Sequence, residues 1–211
     1  MTLSRGFTLL EVLVAIAILA VGLLGIAGLM VRGQKASYEA YQRQQALALA
    51  QDMLERLRVN PAGATSYVTG TSDSSSMPGW GNFMSPADCQ VMSCTPAQLA
   101  LFDLSMWDQQ LSGSTEKLGS NKVGGIVRAR GCVEAIPGSP NNYMVSVAWQ
   151  GDAPTASPSA EVCKDAAGDN VSPSACGTGL YAHRNAAGVV AVNDATRRLV
   201  SLCLNTQQAG P

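Results

Sequence analysis

The chain has 211 residues, of which 46% are apolar and 14% charged, and its formal net charge is -1. This balance excludes a strongly basic nucleic-acid surface and an acidic tail as the feature that selects a partner. Roughly 150 residues follow the apolar N-terminal quarter, which is enough for one compact domain with its own core.

The N-terminal segment is an apolar run that is long enough to cross a membrane. From Phe7 to Val31 the only ionisable side chain is Glu11, and about 20 residues suffice for a transmembrane helix. A cleavable secretory signal has a shorter apolar core, of about 7–15 residues. We therefore predict a membrane anchor at 7–31. Basic residues flank both of its ends, so charge alone leaves its orientation open.

Glu11 is a charged residue where charge is costly. A carboxylate within a spanning helix costs about 2.5–3.5 kcal/mol on insertion scales, so it is expected to have a partner and a function. Arg5 lies six residues back, off the i+3 and i+4 positions that face each other on a helix. Cleavage after Gly6 would give Phe7 a free amine at the membrane edge, and that amine could pair with Glu11 of the same or an adjacent subunit.

The first residues combine a short basic leader that ends in glycine with the sequence GFTLLE and a long apolar run. This arrangement resembles the class III prepilin signature of type IV pilins and type II secretion pseudopilins. The resemblance implies that a prepilin peptidase cleaves after Gly6, removing residues 1–6, and methylates the new amine of Phe7. It also implies that Glu11 is needed for the subunit to join a helical filament.

Beyond the membrane the same helix is predicted to continue through residues 32–59. Residues 34–58 lack glycine and proline, and Asn60-Pro61 ends the helix because the residue before proline is pushed out of the helical conformation. Two acid-before-base pairs at i, i+4 give weak support, namely Glu39 with Arg43 and Asp52 with Arg56. The spacing of apolar residues predicts one core-facing stripe, formed by Ala36, Ala40, Leu47, Ala50, Leu54 and Leu57.

Residues 60–211 are predicted to form the domain, which begins with a loop and a second helix. The Ser-, Gly- and Pro-rich stretch 69–88 predicts the loop. In Thr95-Pro96-Ala97-Gln98, threonine is a good N-cap, proline suits the first helical position and glutamine completes a capping box. We predict a helix at 96–111, which ends before Ser112-Gly113. Its core-facing side chains would be Ala100, Leu104, Trp107 and Leu111.

Strand patterns follow, at 124–136, 143–151 and 197–205, and the polar turn between the first two predicts antiparallel pairing. A brief strand is predicted at 189–192, and 152–188 lacks any period and predicts a long irregular loop. The fold class is therefore α+β, with the long helix packed on an antiparallel sheet. The alternation of the later strands predicts these inward-facing residues: Tyr143, Val145, Val147 and Trp149, then Val200, Leu202 and Leu204.

Six cysteines all lie beyond residue 88. An even number confined to the part outside a membrane favours disulfides in an oxidising compartment, which requires a cytoplasmic N-terminus. Zinc is the alternative, but CQVMSC is the only close pair and His183 lies near no second one. Of the 15 connectivities that six cysteines allow, we predict Cys89–Cys94, Cys132–Cys203 and Cys163–Cys176. The second pair is chosen because both cysteines fall on polar strand faces.

Four later stretches, LALFDLSMWDQQL, the RGC strand, YMVSVAWQG and RRLVSLCLN, resemble the minor pilins called type IV pilus modification protein PilV. The resemblance implies a low-abundance, single-pass inner-membrane subunit that helps to start pilus assembly and is then displayed near the tip, where pili serve adhesion and twitching motility. Its partners would be other minor pilins, the major pilin, the prepilin peptidase and the inner-membrane assembly platform, with a tip adhesin as a further candidate.

An enzyme is not expected, because the chain has one histidine and no HExxH, GxSxG or phosphate-binding glycine loop. No cofactor or metal is expected either. Asp165, Asp169 and Asn170 could surround calcium, but they lack EF-hand spacing, and a solvated loop is favoured.

Two other functions stay open. One is a minor pseudopilin of type II secretion, which would share the whole N-terminal segment. The other is an adhesive or DNA-binding module displayed on the filament, with the 152–188 loop as its contact surface, although the few arginines of RARGC and ATRRL form no basic stripe.

Overall fold

The structure is a computed structural model that describes residues 6, 8–71, 77–119, 121–122, 124–155, 163–184, 188, 190–192 and 194–207. By its internal contacts the chain divides into two units, Met1–Tyr41 and Gln42–Pro211. The elements, in chain order, are helix α1 (Leu9–Val59), a 3₁₀ helix (Pro61–Tyr67), helix α2 (Pro96–Leu111) and strands β1 (Lys117–Leu118), β2 (Asn121–Lys122), β3 (Arg130–Ala135), β4 (Asn142–Gln150), β5 (His183–Arg184), β6 (Val190–Val192) and β7 (Arg197–Asn205). The predicted α+β class is confirmed.

The first unit contains the N-terminal part of α1. The large apolar side chains between Leu9 and Val31 are 48–78% exposed, and they point to all sides of the helix. By length and composition this helix is able to cross a membrane, and none of its most apolar stretch is buried within the protein. A helix that is apolar all round belongs in a bilayer or in the core of a larger structure.

In the second unit, the last turns of α1 form one wall of the main core. The predicted stripe is right at Ala50, Leu54 and Leu57 but wrong at three other positions, because Ala36, Ala40 and Leu47 are exposed. Leu47 follows the buried Ala46 and so lies about 100° further around the helix. The buried residues that the prediction missed are Gln42, Ala46 and Met53. The helix ends at Val59 as predicted, and Asp52 accepts a hydrogen bond from Arg56 at 2.9 Å.

Helix α2 has the predicted bounds and the predicted cap. Thr95 Oγ1 accepts the N–H of Gln98 at 3.3 Å, and Gln98 Oε1 accepts the N–H of Thr95 at 2.9 Å. The indole N–H of Trp107 donates to the Leu49 carbonyl at 2.9 Å, which ties α2 to α1. Trp107 is therefore a core anchor, as expected, and all four predicted core residues of α2 are buried: Ala100, Leu104, Trp107 and Leu111.

The main sheet is antiparallel with the order β3-β4-β7, and two two-stranded ribbons, β1-β2 and β5-β6, accompany it. Strand β7 has the predicted bounds and β4 is shifted by one residue. Strand β3 is shorter than the predicted 124–136, because Arg128 takes a left-handed conformation (φ 53°) in a turn that precedes the strand. The brief strand predicted at 189–192 is present as β6, but its partner β5 lies in a stretch predicted to be irregular.

Both faces of β4 are buried, whereas the sequence predicts only one. The predicted face, with Val145 and Val147, packs into the main core under α1 and α2. The other face carries Ala148 and Met144, which pack against Tyr181 and Val171 of the 163–182 segment. That irregular segment lies over the sheet as a second layer.

Of the three predicted disulfides, Cys89–Cys94 is present and the other two pairings are wrong. The structure joins Cys132 to Cys176 and Cys163 to Cys203. A bond between Cys132 and Cys203 is impossible because β4 lies between their strands. Two strand spacings amount to about 9–10 Å, beyond the roughly 7 Å that a disulfide allows between Cα atoms. Both observed bonds instead fasten the 163–182 segment to the sheet. The two bonds are interleaved, because Cys163 lies between Cys132 and Cys176 along the chain and Cys176 lies between Cys163 and Cys203.

Candidate functional site

The processing and assembly residues predicted from the sequence are Gly6, Phe7 and Glu11. Gly6 is exposed and lies outside any helix. A Cβ atom built on it would meet none of the described atoms within 4 Å. No contact with a described residue therefore accounts for glycine at this position. Phe7 lies outside the described residues.

Glu11 lies in the first turn of α1. Because the helix begins at Leu9, Thr8 is its N-cap and Glu11 its third residue. The Thr8 carbonyl oxygen accepts the N–H groups of Glu11 at 3.1 Å and of Val12 at 3.3 Å. Thr8 Oγ1 also accepts the Glu11 N–H, at 3.2 Å. The partial positive charge at a helix N-terminus favours a carboxylate in this turn.

Sequence reasoning gave no role to Thr8, although the signal was there. The sequence Thr8-Leu9-Leu10-Glu11 follows the S/T-x-x-E pattern of a capping box. The same pattern at Thr95 was recognised, whereas at Thr8 it is hidden by the apolar residues around it.

The Glu11 carboxylate is available for a cation. Within 8–71, no described basic group forms an ion pair with it, and it is the only charge between Leu9 and Val31. It stands on a helix whose remaining surface is apolar and exposed. What this segment offers chemically is one carboxyl group and a large apolar surface.

A second arrangement, on the domain, holds the loop at 77–83. The Asp108 carboxylate on α2 accepts three backbone N–H groups at 2.5–2.9 Å, from Gly79, Gly81 and Phe83. From β3, the Arg130 guanidinium donates to the Gly79 carbonyl at 3.0 Å and lies 3.7 Å from the centre of the Trp80 ring. Trp80, which is 43% exposed, is thereby held at the surface. The sequence predicts this stretch only as a loop.

The described part of the 152–188 loop, which is the predicted contact surface of an adhesive module, is also fastened. Asp194 accepts the N–H groups of Gly179 at 2.7 Å and Tyr181 at 3.2 Å. Arg197 donates to the carbonyl oxygens of Cys176 and Ser174, at 3.0 and 2.5 Å. These contacts and the two interleaved disulfides hold residues 163–182 against the sheet.

The residues considered for calcium form a closed turn. Asp165 Oδ1 accepts the N–H groups of Ala167 and Asp169 at 2.9 and 2.8 Å, and Lys164 donates to the Gly168 carbonyl at 3.1 Å. Asp169 and Asn170 are exposed. Among the described residues no group of three or more His, Cys, Asp or Glu could hold a metal ion.

Burial is the largest cause of the raised pKa of three titratable groups in the domain. Burial and a hydrogen bond to Asp103 raise the pKa of Tyr67, and burial raises the pKa of Tyr181. Burial also raises the pKa of Glu134, against the opposing effects of the Ser174 hydroxyl and the Arg197 charge. The hydrogen bonds of these groups join neighbouring segments of the fold, so their arrangement is structural.

Two protein-family models match the chain. Residues 1–27 match the prokaryotic N-terminal methylation motif, and residues 28–105 match a family described as type IV pilin Tt1218. No curated protein and no solved structure matches the chain. The two models together cover the N-terminal half, so the three-stranded sheet and the two interleaved disulfides lie outside them.

Proposed function

We propose that this chain is a pilin, a structural subunit of a type IV pilus. The matches to the methylation motif and to a type IV pilin family support a pilin role. The observation that carries the proposal is the surface of α1, which is apolar on all sides from Leu9 to Val31 and carries a single acid in its first turn. Such a surface has to be covered, first by lipid and then by neighbouring subunits.

Before assembly the subunit is anchored in the inner membrane by residues 7–31. The short N-terminus lies in the cytoplasm and residues 60–211 lie on the outer side. The support for this orientation is chemical, because the domain contains three disulfides and such bonds persist in oxidising compartments.

Cleavage of the leader creates the positively charged amine with which Glu11 pairs. The prepilin peptidase hydrolyses the peptide bond between Gly6 and Phe7, which leaves a carboxylate on the released leader and an amine on Phe7 that is then methylated. At about 4 Å, a carboxylate and an ammonium group attract each other by roughly 4 kcal/mol at an effective dielectric constant of 20. This is similar to the cost of about 2.5–3.5 kcal/mol for the isolated charge in a membrane.

Docking combines this pairing with burial of apolar surface. Glu11 of an incoming subunit meets the amine of Phe7 in the growing filament, and the exposed side chains of α1 pack against the helices already there. Burial of apolar surface contributes about 25 cal/mol per Å², while the single ion pair sets the register. The role is structural, and no reaction is assigned to the chain itself.

Within the pilins we assign the chain to the minor subunits of the PilV type, which help to start assembly and sit near the tip. The support is the resemblance of four stretches, two of which form the central strand β4 and the strand β7. The partners would be other minor pilins, the major pilin, the peptidase and the assembly platform. A type II secretion pseudopilin shares the N-terminal segment, and deletion of the gene separates the two, by loss of surface pili or of protein secretion.

The test of the proposal is the intact mass of the protein isolated from sheared pili of its native host. We expect a chain that starts at Phe7, carries one added methyl group and lacks the six hydrogens removed by three disulfides. A product that still carries residues 1–6, or a protein absent from purified pili, would contradict the proposal.

A further inference from the structure

The start of α1 is capped by Thr8. Gly6 and Thr8 lie outside the helix, and the helix begins at Leu9. Thr8 has both features of an N-cap residue, because its carbonyl accepts the first helical hydrogen bond, from Val12, and its Oγ1 accepts the N–H of the third residue, Glu11. The helix boundary therefore falls just after the bond that the peptidase has to cut.

This boundary matters because helical backbone resists proteolysis. Cleavage occurs in exposed segments outside regular structure, or after local opening of a structured one. A helix that extended toward the leader would enclose the peptide bond between Gly6 and Phe7. Glycine at position 6 opposes such an extension because it disfavours helix. The Thr8 hydroxyl opposes it further, because it accepts the Glu11 N–H while Thr8 itself is not helical.

We propose that Thr8 is a positioning residue for leader cleavage: its cap stops α1 short of the scissile bond and keeps that bond accessible to the prepilin peptidase. The inference rests on the proposed function and extends it, since the N-cap of the helix is Thr8 and not one of the signature residues Gly6, Phe7 and Glu11. On this proposal, Thr8 sets the start of the helix in the free chain, before any contact with the peptidase.

The experiment compares full-length wild type, Thr8→Ala and Thr8→Ser in nanodiscs with purified prepilin peptidase. Alanine removes the cap and favours helix, whereas serine keeps the hydroxyl acceptor and serves as the matched control. We expect the initial cleavage rate of Thr8→Ala to be about fivefold lower, the factor that corresponds to about 1 kcal/mol for a lost cap. Thr8→Ser should be cleaved at the wild-type rate.

A second measurement separates positioning from direct recognition of the hydroxyl. The Cα chemical shift of residue 8 should move toward helical values in Thr8→Ala and stay unchanged in Thr8→Ser. Equal cleavage rates for Thr8→Ala and wild type would overturn the inference, and so would slower cleavage with an unchanged shift. If the peptidase does not cut wild type at all, the proposed function fails first.

Discussion

Single carboxylates hold several segments of the domain in place. Asp103 accepts hydrogen bonds from the Tyr67 hydroxyl and from Arg56, and Asp108 and Asp194 each accept backbone N–H groups from a loop. Hydrogen bonds to charged groups contribute about 1.5–3 kcal/mol each. Glu11 differs from these three residues, because its carboxylate has no such donors among the described residues.

Glu11→Ala is therefore expected to remove a partner for another subunit and to leave the fold of the subunit unchanged. The variant should insert into the inner membrane as wild type does but be reduced at least tenfold in sheared pili, since loss of the pair removes more than about 1.4 kcal/mol from docking. Immunoblots of membrane and pilus fractions measure both amounts. Glu55→Ala, which removes an exposed acid outside the apolar surface, is the control, and normal incorporation of Glu11→Ala would contradict the role.

Glu134 gives the domain a predictable pH dependence. Burial raises the pKa of its carboxyl, and the Ser174 hydroxyl and Arg197 charge only partly offset this. A raised folded-state pKa means that its contribution to stability is present at pH below the unfolded-state value and is lost as pH rises through the folded-state value. Relative to Glu134→Gln, the wild-type free energy of unfolding should thus fall as the pH rises above about 4, the ordinary pKa of a glutamate side chain.

Urea unfolding at several pH values measures this difference directly. Glutamine keeps an acceptor for the Ser174 hydroxyl, so the comparison isolates the charge. Glu55→Gln, at a side chain that is 58% exposed, is the control and should show no such trend. A wild-type advantage that grows with pH would mean that attraction to Arg197 outweighs burial.

At the scale of elements, short patterns in the sequence predict where individual helices and strands begin and end. The cap at Thr95 and the proline after Asn60 place α2 and the end of α1, and alternation places β7 to the residue. Strand order is a non-local property, and this is where the prediction fails. With β4 between β3 and β7, Cys132 and Cys203 cannot meet, and the polar face that was expected to be exposed is covered by a segment without any periodic pattern.

The candidate functional residues also divide into those that a local pattern predicts and those that it does not. Gly6, Phe7 and Glu11 follow from a contiguous motif, whereas the Asp108 and Arg130 contacts that hold Trp80 join residues 25–51 positions apart. No local pattern in the sequence encodes such pairs. Thr8 is the exception, because its capping pattern is local.

Because one disulfide fastens the 163–182 segment and another closes only a short loop, their removal is expected to lower the unfolding free energy by different amounts. Removal of Cys132–Cys176, which spans 44 residues, is expected to cost about 4 kcal/mol of unfolding free energy, against about 2 kcal/mol for Cys89–Cys94, which spans 5. Guanidinium unfolding of the double alanine variants in detergent measures both. Cys89→Ala/Cys94→Ala is the matched control, and equal losses would contradict the role of the larger loop.

At the scale of the whole molecule, the two units have different requirements. Every residue of the main core lies at position 46 or later, so residues 9–31 contribute nothing to it. Those residues instead carry the apolar surface that a membrane or a filament has to cover. The domain is therefore expected to fold without the anchor.

A fragment of residues 34–211 tests this expectation. It should be soluble and monomeric, and its thermal midpoint should lie within a few degrees of that of the full chain in detergent, because no core contact is removed. Circular dichroism and size-exclusion chromatography measure both properties. An aggregated or unfolded fragment would show that the first unit is needed for folding.

The interleaved disulfides also bear on how the protein responds to tension. Positions 132 and 203 are separated by 71 residues of backbone, but through the two bonds the shortest covalent path between them runs over only the 13 residues that separate 163 from 176. At about 3.5 Å per residue, and with the 5.7 and 5.6 Å between the Cα atoms of the two disulfides included, a chain pulled at these points would stop lengthening at about 57 Å, where a reduced chain would reach about 250 Å. In a filament under load, the two disulfides would thus limit the extension of the subunit even after its hydrogen bonds had broken.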